Sequence, residues 1–501
     1  MCKSKYVLFL LFWIVLQSCQ NRPRIEEKPN LIFILVDDLG WKDIGFMGST
    51  FYETPNIDRL AESGMHFTNA YAACAVCSPT RASIMTGKYP ARMGITDWIR
   101  GRYSGIEIPE NKQNPVGYDT FPKRRFLTPK NPYWMESEET TLAELFKKEG
   151  YVTGHIGKWH LGPNKWKPEG QGFDFNYGGT DYGQPPVYFD PYERNGFSIE
   201  NLPGRDSGEY LTDREAFEAV NFIKTHADKP FYLNMWHYTV HTPLQAREDL
   251  IEKYKAKQVS NPNSPQYREK DTMNARYRSR EPLDAQRNPI YAAMIESLDN
   301  AVGDILNTLD SLNLRENTLI VFFSDNGGHI VATDNSPLKL GKGHAYEGGI
   351  REPLIMSWPK KISSNTKSDF PVSSIDFLPT ICNISNIKPS ENQLIDGIDF
   401  SDVLFQESEP DRNTLYWHFP HYWWGDKVQP YSIIREGDYK LIKRYETDSF
   451  ELFDLKNDIG ETKNLTEVMP DKVNALNEKL ETWLIEMNAK MPIENPNFEV
   501  N

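Results

Sequence analysis

Two hydrophobic rhythms alternate along this chain. Continuous apolar runs at Leu31-Ile32-Phe33-Ile34-Leu35-Val36, Phe231 to Trp236 and Thr318 to Phe323 read as strands buried on both faces of a parallel-type sheet. The first ends in Asp37-Asp38 and the third in Ser324-Asp325-Asn326-Gly327. Between them lie helical patterns: Thr54-Pro55 opening a helix through Ser63, then Thr141 to Lys148, Arg214 to Lys224 and Tyr291 to Leu312. Strands alternating with helices predict an α/β domain whose sheet is covered on both faces, with ligands bound outside the carboxyl ends of the strands. Both acidic clusters stand at such ends.

Residues Ala246 to Asn288 are polar without a sustained period and read as a long surface insertion. After Ser401 the rhythm shortens: segments at Leu415 to Phe419, Ser432 to Arg435, Tyr439 to Arg444 and Phe450 to Leu455 alternate with turn residues, and an amphipathic helix spans Pro470 to Met487. This predicts a main domain over 30–405 and a smaller C-terminal α+β subdomain with an antiparallel sheet over 406–501. At the other end, Lys3 and Lys5 precede an apolar run, Tyr6 to Leu16, that falls short of the roughly 20 residues needed to span a bilayer. Leu16-Gln17-Ser18-Cys19 follows and resembles a bacterial lipobox. Residues 1–18 are then a lipoprotein signal, Cys19 is the lipidated residue and 19–29 form a tether, with an ordinary secretory signal as the alternative. The implied location is the bacterial envelope, at the outer membrane through a lipid anchor. Its face is open, although Gln20-Asn21-Arg22 lacks an acidic run.

Composition narrows the partners. Of 501 residues, 56 are Lys or Arg and 70 are Asp or Glu, a formal net charge of −14, which argues against nucleic-acid backbone binding and requires any basic site to be local. The five cysteines, Cys2, Cys19, Cys74, Cys77 and Cys382, are too scattered for a disulfide framework.

The densest chemistry lies in Cys77-Ser78-Pro79-Thr80-Arg81-Ala82-Ser83-Ile84-Met85-Thr86-Gly87. It places a cysteine at a helix start with an arginine one turn on, where the helix dipole and the cation favour a thiolate. Cys74 and Cys77 also form a C-x-x-C pair, readable as a redox pair or half of a zinc site, and a lone cysteine is by default a buried free thiol. Asp37, Asp38, Asp325 and Asn326 offer hard oxygen donors suited to calcium or magnesium, or else are solvated turn residues.

The cysteine segment resembles the signature of the type I sulfatases, which is C or S, any residue, P, any residue, R, four residues, then T-G. Further likenesses are Gly157-Lys158-Trp159-His160-Leu161-Gly162, Asp37-Asp38, His241-Thr242-Pro243, Asp325-Asn326-Gly327, and Gly341-Lys342-Gly343 followed by Glu347-Gly348-Gly349. The resemblance implies an alkaline-phosphatase-like α/β fold with a large mixed sheet. It also implies that Cys77 is oxidised by a formylglycine-generating enzyme to formylglycine (3-oxoalanine), whose hydrate is the nucleophile: one hydroxyl attacks sulfur and expels the alcohol, and deprotonation of the other then ejects sulfate and restores the aldehyde. Calcium would be held by Asp37, Asp38, Asp325, Asn326 and the modified Cys77. Arg81 would partner the formylglycine, and Lys158 and Lys342 would clamp sulfate. His160 would orient or deprotonate the diol, and His241, with Lys342 near, would protonate the leaving sugar oxygen. His237 is a weaker candidate, better read as a packing residue. Lys42 stands where many relatives have glycine, outside the ligand set.

Three features are candidates for lining a substrate pocket: Trp98 and Arg100 in Asp97-Trp98-Ile99-Arg100, His418 and His421 in the run Trp417 to Trp424, and His344 with Tyr346. Core or loop packing explains the aromatic residues equally well. The leading reading is a calcium-dependent sulfatase acting on sulfated polysaccharide or its oligosaccharides, of algal ulvan or galactan type. The alternatives are a glycosaminoglycan sulfatase, a phosphatase or phosphonate ester hydrolase of the same superfamily, and a non-catalytic glycan-binding lipoprotein.

Overall fold

The computed structural model describes residues 28–498 apart from 102–104, 108, 110–111, 120–122, 262, 280 and 425–426. The signal, Cys19 and most of the tether lie outside them. Eight strands build the central sheet: β1 (Asn30–Val36), β2 (Met65–Phe67), β3 (Val152–Gly157), β4 (Phe175–Tyr177), β5 (Phe231–Trp236), β6 (Thr318–Ser324), β7 (Leu354–Ser357) and β8 (Thr366–Ser368). Their order is β8-β2-β7-β6-β1-β5-β3-β4. Strands β6, β1, β5, β3 and β4 run parallel, while β7 is antiparallel to both its neighbours, so the sheet is mixed.

The unbroken apolar run of β1 has a direct cause. All seven of its residues are buried. Leu31, Phe33 and Leu35 enter one core layer and Ile32, Ile34 and Val36 the other, because the sheet is covered on both faces. The covering helices used below are α1 (Pro55–Glu62), α2 (Cys77–Thr86), α3 (Leu211–Thr225), α4 (Glu248–Ser260), α5 (Met273–Ser279) and α6 (Pro289–Ser311). The helix Leu142–Lys148 begins where the sequence places it, on a capping box in which Thr141 and Glu144 satisfy each other's backbone amides.

The insertion reading of Ala246 to Asn288 needs correction. This segment holds α4 and α5, and Tyr254 on α4 is buried in the core layer that contains α6. Asp271 is fully buried between Arg276 and Arg287, so ion pairing, which leaves no apolar period, anchors the segment. Its pattern looked like surface because its buried apolar residues, Ile251, Tyr254 and Leu283, are few and widely spaced and buried charges supply the rest of the anchoring.

Four antiparallel strands, β9 (Thr414–Phe419), β10 (Tyr431–Glu436), β11 (Tyr439–Arg444) and β12 (Ser449–Asp454), form the C-terminal sheet in sequential order, backed by α7 (Pro470–Glu486). Ile434, Leu441 and Leu452 pack on α7 through Val473, Leu476, Leu480 and Trp483. Ile433 and Ile442 on the opposite face meet Tyr71, Cys74, Ala75 and Val76, the stretch that leads into α2. The small sheet therefore buttresses the backbone that presents Cys77, and Trp417 Nε1 donates to the Ala72 carbonyl at 2.7 Å to fix it.

Candidate active site

Parallel strands deliver the polar residues to one edge. β1 runs into Asp37-Asp38, β6 into Asp325-Asn326, β3 into Lys158 and His160, and β5 into the loop bearing His237 and His241. Cys77 is the first residue of α2, and Pro79 falls in the first turn, where a missing N–H costs no helical bond. Asp38 and His160 both adopt left-handed backbone, each with φ of 61°. Aspartate and histidine tolerate that region better than most residues, and such strain gathers at functional sites.

Three carboxylates meet three cations here, all essentially buried. Lys158 Nζ lies 2.6 Å from Asp37 Oδ2, and Lys342 Nζ lies 2.5 Å from Asp38 Oδ1. Arg81 donates through Nε to Asp325 Oδ2 at 2.8 Å and through its NH1 nitrogen to the Lys158 carbonyl at 2.7 Å. With Cys77 an unmodified thiol, the hydrogen bonds of Arg81, which the resemblance makes the partner of the formylglycine, go to Asp325 and the Lys158 backbone.

The donors left over are the ones that could hold a cation. Asp37 Oδ1, Asp38 Oδ2 and Asn326 Oδ1 are buried without a hydrogen-bond partner. Asn326 spends its Nδ2 on Asp38 Oδ1 at 2.8 Å, which turns its oxygen outward from that bond. Ligand atoms of Asp37, Asp38, Cys77 and His241 all fall within 4.8 Å of one another. Buried oxygens are rarely left unpaired, and oxygens of this kind suit a hard divalent cation such as calcium or magnesium. Asp325 stands outside that converging group because Arg81 holds its Oδ2, and its Oδ1 accepts from the Asp38 amide at 3.3 Å. His241, expected only as an acid, stands inside it, with Nε2 3.5 Å from Asp38 Oδ2.

Electrostatics follow from burial. Burial, with Asp325 and Asp38 adding to it, pushes Asp37 up to about 7 against the pull of Lys158 and Arg81, because desolvation of a fully buried carboxylate outweighs its cations. Burial also opposes the charge of Asp38, but Lys342, His241 and Lys158 outweigh it and hold that carboxyl well below the usual range. The thiolate expected at Cys77 is not favoured: burial pushes the thiol up to about 12, although Lys158 and Lys342 pull the other way, because desolvation outweighs the dipole and the cations. Cys77 Sγ nonetheless sits 3.4 Å from Lys342 Nζ. Cys74 and Cys77 are both free thiols.

Both histidines are held well below the ordinary value, first by burial and then by neighbouring lysines, and are neutral near pH 7. Hydrogen bonds set their tautomers. His160 Nε2 faces the Ile99 carbonyl at 2.6 Å and must donate, which leaves Nδ1 bare and without a partner. His241 Nδ1 faces the Thr242 carbonyl at 2.9 Å, which leaves Nε2 bare beside Asp38. Neutral His241 is therefore an acceptor, and the proton on this side of the site belongs to Lys342, whose ammonium Asp38 stabilises against burial.

A cavity of about 310 Å³ opens onto Cys77, His160, His241 and Lys342, with Trp98, Tyr277, His329 and Trp423 among its walls. Tyr277 and His329 were missed in the sequence. His329 follows Asn326 by three residues, a readable signal, whereas Tyr277 sits on charge-anchored α5, which gave none. Arg100 and His421 line an adjoining pocket. His344 lines a separate cleft with Arg444. His418 does not reach the cavity: its Nδ1 meets Ser432 Oγ at 2.8 Å and its Nε2 meets the Lys490 carbonyl at 3.1 Å, a packing role. His237 is likewise buried, with Nδ1 2.7 Å from Glu215 Oε2.

Comparison with known proteins agrees with this geometry. The sulfatase family model matches residues 29–387, and a model described as N-sulphoglucosamine sulphohydrolase, C-terminal, matches 340–490. A sulfatase of Formosa agariphila is 34% identical over 99% of this chain and 96% of its own length. The N-acetylgalactosamine-6-sulfatase of Canis lupus familiaris is 30% identical over 85% of this chain and 74% of its own. Among solved structures, Ps i-CgsB in complex with k-i-k-neocarrahexaose superposes with a TM-score of 0.72 at 28% identity, covering 91% of this chain and 93% of that one. With its alkaline-phosphatase-like mixed sheet, its cysteine at the head of α2 and these matches, the chain belongs to the type I sulfatase family and is a sulfuric ester hydrolase.

Proposed function

We propose that this sulfatase removes sulfate from sulfated polysaccharide or its oligosaccharides, with Cys77 converted to formylglycine by a formylglycine-generating enzyme and calcium in the acidic site. The observation that carries the reading is the convergence of Cys77, Lys342, His160 and His241 on one cavity beside three unpaired buried oxygens. Asp37, Asp38, Asn326 and the modified Cys77 would hold the ion, with Asp325 alongside. When bound, it would supply positive charge toward a sulfate oxygen and toward the hydrated aldehyde.

The chain's own residues divide the remaining work. Lys158 and Lys342 bring positive charge to the anion, Lys342 kept charged against burial by Asp38. His160 offers its bare Nδ1 as acceptor for a hydroxyl at position 77, its ring held by the Ile99 carbonyl. His241 accepts at Nε2 and becomes a donor only once an incoming negative charge raises its basicity.

Among sulfated glycans, algal galactan or ulvan is favoured over glycosaminoglycan, a preference supported by the likeness to Ps i-CgsB in complex with k-i-k-neocarrahexaose. The lipobox-like Leu16-Gln17-Ser18-Cys19 supports anchoring in a bacterial outer membrane; unchanged detergent partitioning of Cys19→Ala would count against it. Mass spectrometry of the tryptic peptide Leu60 to Arg81 tests the modification: an aldehyde at Cys77 supports the reading, and thiol alone in protein from the native host contradicts it.

A further inference from the structure

Tyr277, His329 and Trp423 form one wall of the catalytic cavity. Tyr277 meets His329 edge-on at 5.5 Å between ring centroids, and His329 lies 6.0 Å from Trp423. Trp423 rests on the backbone of the Lys342 loop, since a Cβ at Gly343 would come within 2.3 Å of its Cε3. At the other end of the wall the Tyr277 hydroxyl stands beside Thr242, the neighbour of His241. The aromatic surface therefore runs from the residue after Lys342 to the residue after His241.

Buried charge and backbone bonds hold this wall in place. Asp271 pairs with Arg276 and Arg287 to tie down α5, which carries Tyr277, and Arg276 also donates to the Pro282 carbonyl at 3.1 Å. The next residue, Leu283, donates its amide to the Ile330 carbonyl at 2.8 Å, directly after His329. Tyr277 and His329 thus come from two segments bonded to each other beside the site, which fixes their spacing.

The same local bonds set what the pair offers a ligand. The Val331 amide donates to His329 Nδ1 at 3.4 Å, so Nδ1 is the acceptor and Nε2 carries the ring proton. Nε2 faces the Tyr277 oxygen at 3.5 Å, a long contact that a closer acceptor can replace. Burial pushes the imidazole down to about 4 against the pull of Asp38, with Lys342 and His344 adding to burial, so the ring is a neutral donor at pH 7. The phenol beside it both donates and accepts. A neutral N–H and an O–H side by side on an aromatic wall suit a sugar, whose hydroxyl takes the polar pair while its C–H face packs on the rings. At about 310 Å³ the cavity is at the small end for ligand sites, so the sugar it encloses is the one that carries the sulfate.

We infer that His329 and Tyr277 together bind a free hydroxyl of the sulfated sugar itself, and that this pair sets which sugar and which sulfate position the enzyme accepts. The inference rests on the glycan sulfatase reading of the Cys77 cavity. The test measures kcat and KM for sulfate release from a sulfated galactose oligosaccharide and from analogues in which each remaining hydroxyl of the sulfated sugar is replaced in turn by hydrogen. Formylglycine-bearing enzyme is expected to lose about 10-fold or more in kcat/KM on one analogue, chiefly through KM. In Tyr277→Phe, which keeps the ring and the Tm, that penalty is expected to shrink to about 3-fold or less, while the penalties on the other analogues stay as they were. His329→Phe is expected to shrink the same penalty, and His329→Gln, which keeps an N–H donor, to retain part of it. No analogue slower than the parent substrate, or penalties identical in the unaltered enzyme and in Tyr277→Phe, overturns the inference and leaves the sulfatase reading standing. No release from the parent substrate or any analogue, with the aldehyde confirmed, brings down the galactan reading and the inference together.

Discussion

The ammonium of Lys342 stands 3.4 Å from the Cys77 sulfur. Lys342 comes from the loop after β6, 265 residues beyond Cys77, yet the two share one cavity wall, and Asp38 joins the same ammonium at 2.5 Å. The loop is itself pinned to the approach to α2, where the Gly343 amide donates to the Ala75 carbonyl at 2.8 Å. Cys77, the Lys342 ammonium and the Asp38 carboxylate are therefore held as one unit.

Chelation is expected to abolish sulfate release and calcium to restore it. Because the site sits on the native fold alone, ion at about 100 times its Kd is expected to stabilise the protein by about 2.7 kcal/mol in thermal unfolding. Asp38→Asn removes one of the bare oxygens' charge and is expected to weaken that stabilisation; a midpoint indifferent to calcium contradicts the assignment.

The pH dependence follows from His160. A general base works when deprotonated, and burial, Lys158 and Arg81 hold this imidazole far below its ordinary value. Activity is therefore expected to persist as pH falls through about 6.5, the ordinary histidine value, with the acid limb of kcat/KM lying below it. An acid limb centred on the ordinary value in a pH–rate profile contradicts a buried neutral His160.

Behind the Lys342 loop, the charge of Lys440 is shared between Glu347 at 3.0 Å and Glu461 at 2.9 Å, all three fully buried. Lys440→Met takes the ammonium from both buried carboxylates, leaving Glu347 with Arg351 at 3.1 Å and the Tyr71 hydroxyl at 2.8 Å, and a loss of about 3–5 kcal/mol is expected in denaturant unfolding. A loss under about 1 kcal/mol shows that the network contributes little.

Tyr277 reaches the cavity from α5. Tyr277→Ala is expected to raise KM by several-fold for an oligosaccharide and to leave kcat nearly unchanged, since no proton or charge in the reaction is assigned to it. A fall in kcat with KM constant contradicts a role in holding substrate.

Much of this was legible in the sequence for physical reasons. The apolar runs at β1, β5 and β6 are strands because both of their faces are buried, and Asp37-Asp38 and Asp325-Asn326 mark their carboxyl ends because parallel neighbours bring those ends together. The alternation over Leu415 to Leu455 predicts the antiparallel sheet for the same kind of reason, one face on α7 and one on the Cys77 approach. What escaped depends on placement that spacing does not encode. Asp271 anchors the insertion through arginines, His418 spends both ring nitrogens on internal partners, and Cys77 loses its thiolate character to burial. The left-handed backbone at Asp38 and His160 is equally silent in sequence.

The measurement closest to the central claim is sulfate release by protein lacking residues 1–19, co-expressed with a formylglycine-generating enzyme, on algal and animal sulfated oligosaccharides in parallel, with Cys77→Ala as control. Release from one glycan class, strongest on the algal substrates and abolished in Cys77→Ala, is the predicted result. Release that survives in Cys77→Ala, or none from any sulfated glycan when the aldehyde is present and calcium supplied, contradicts the account.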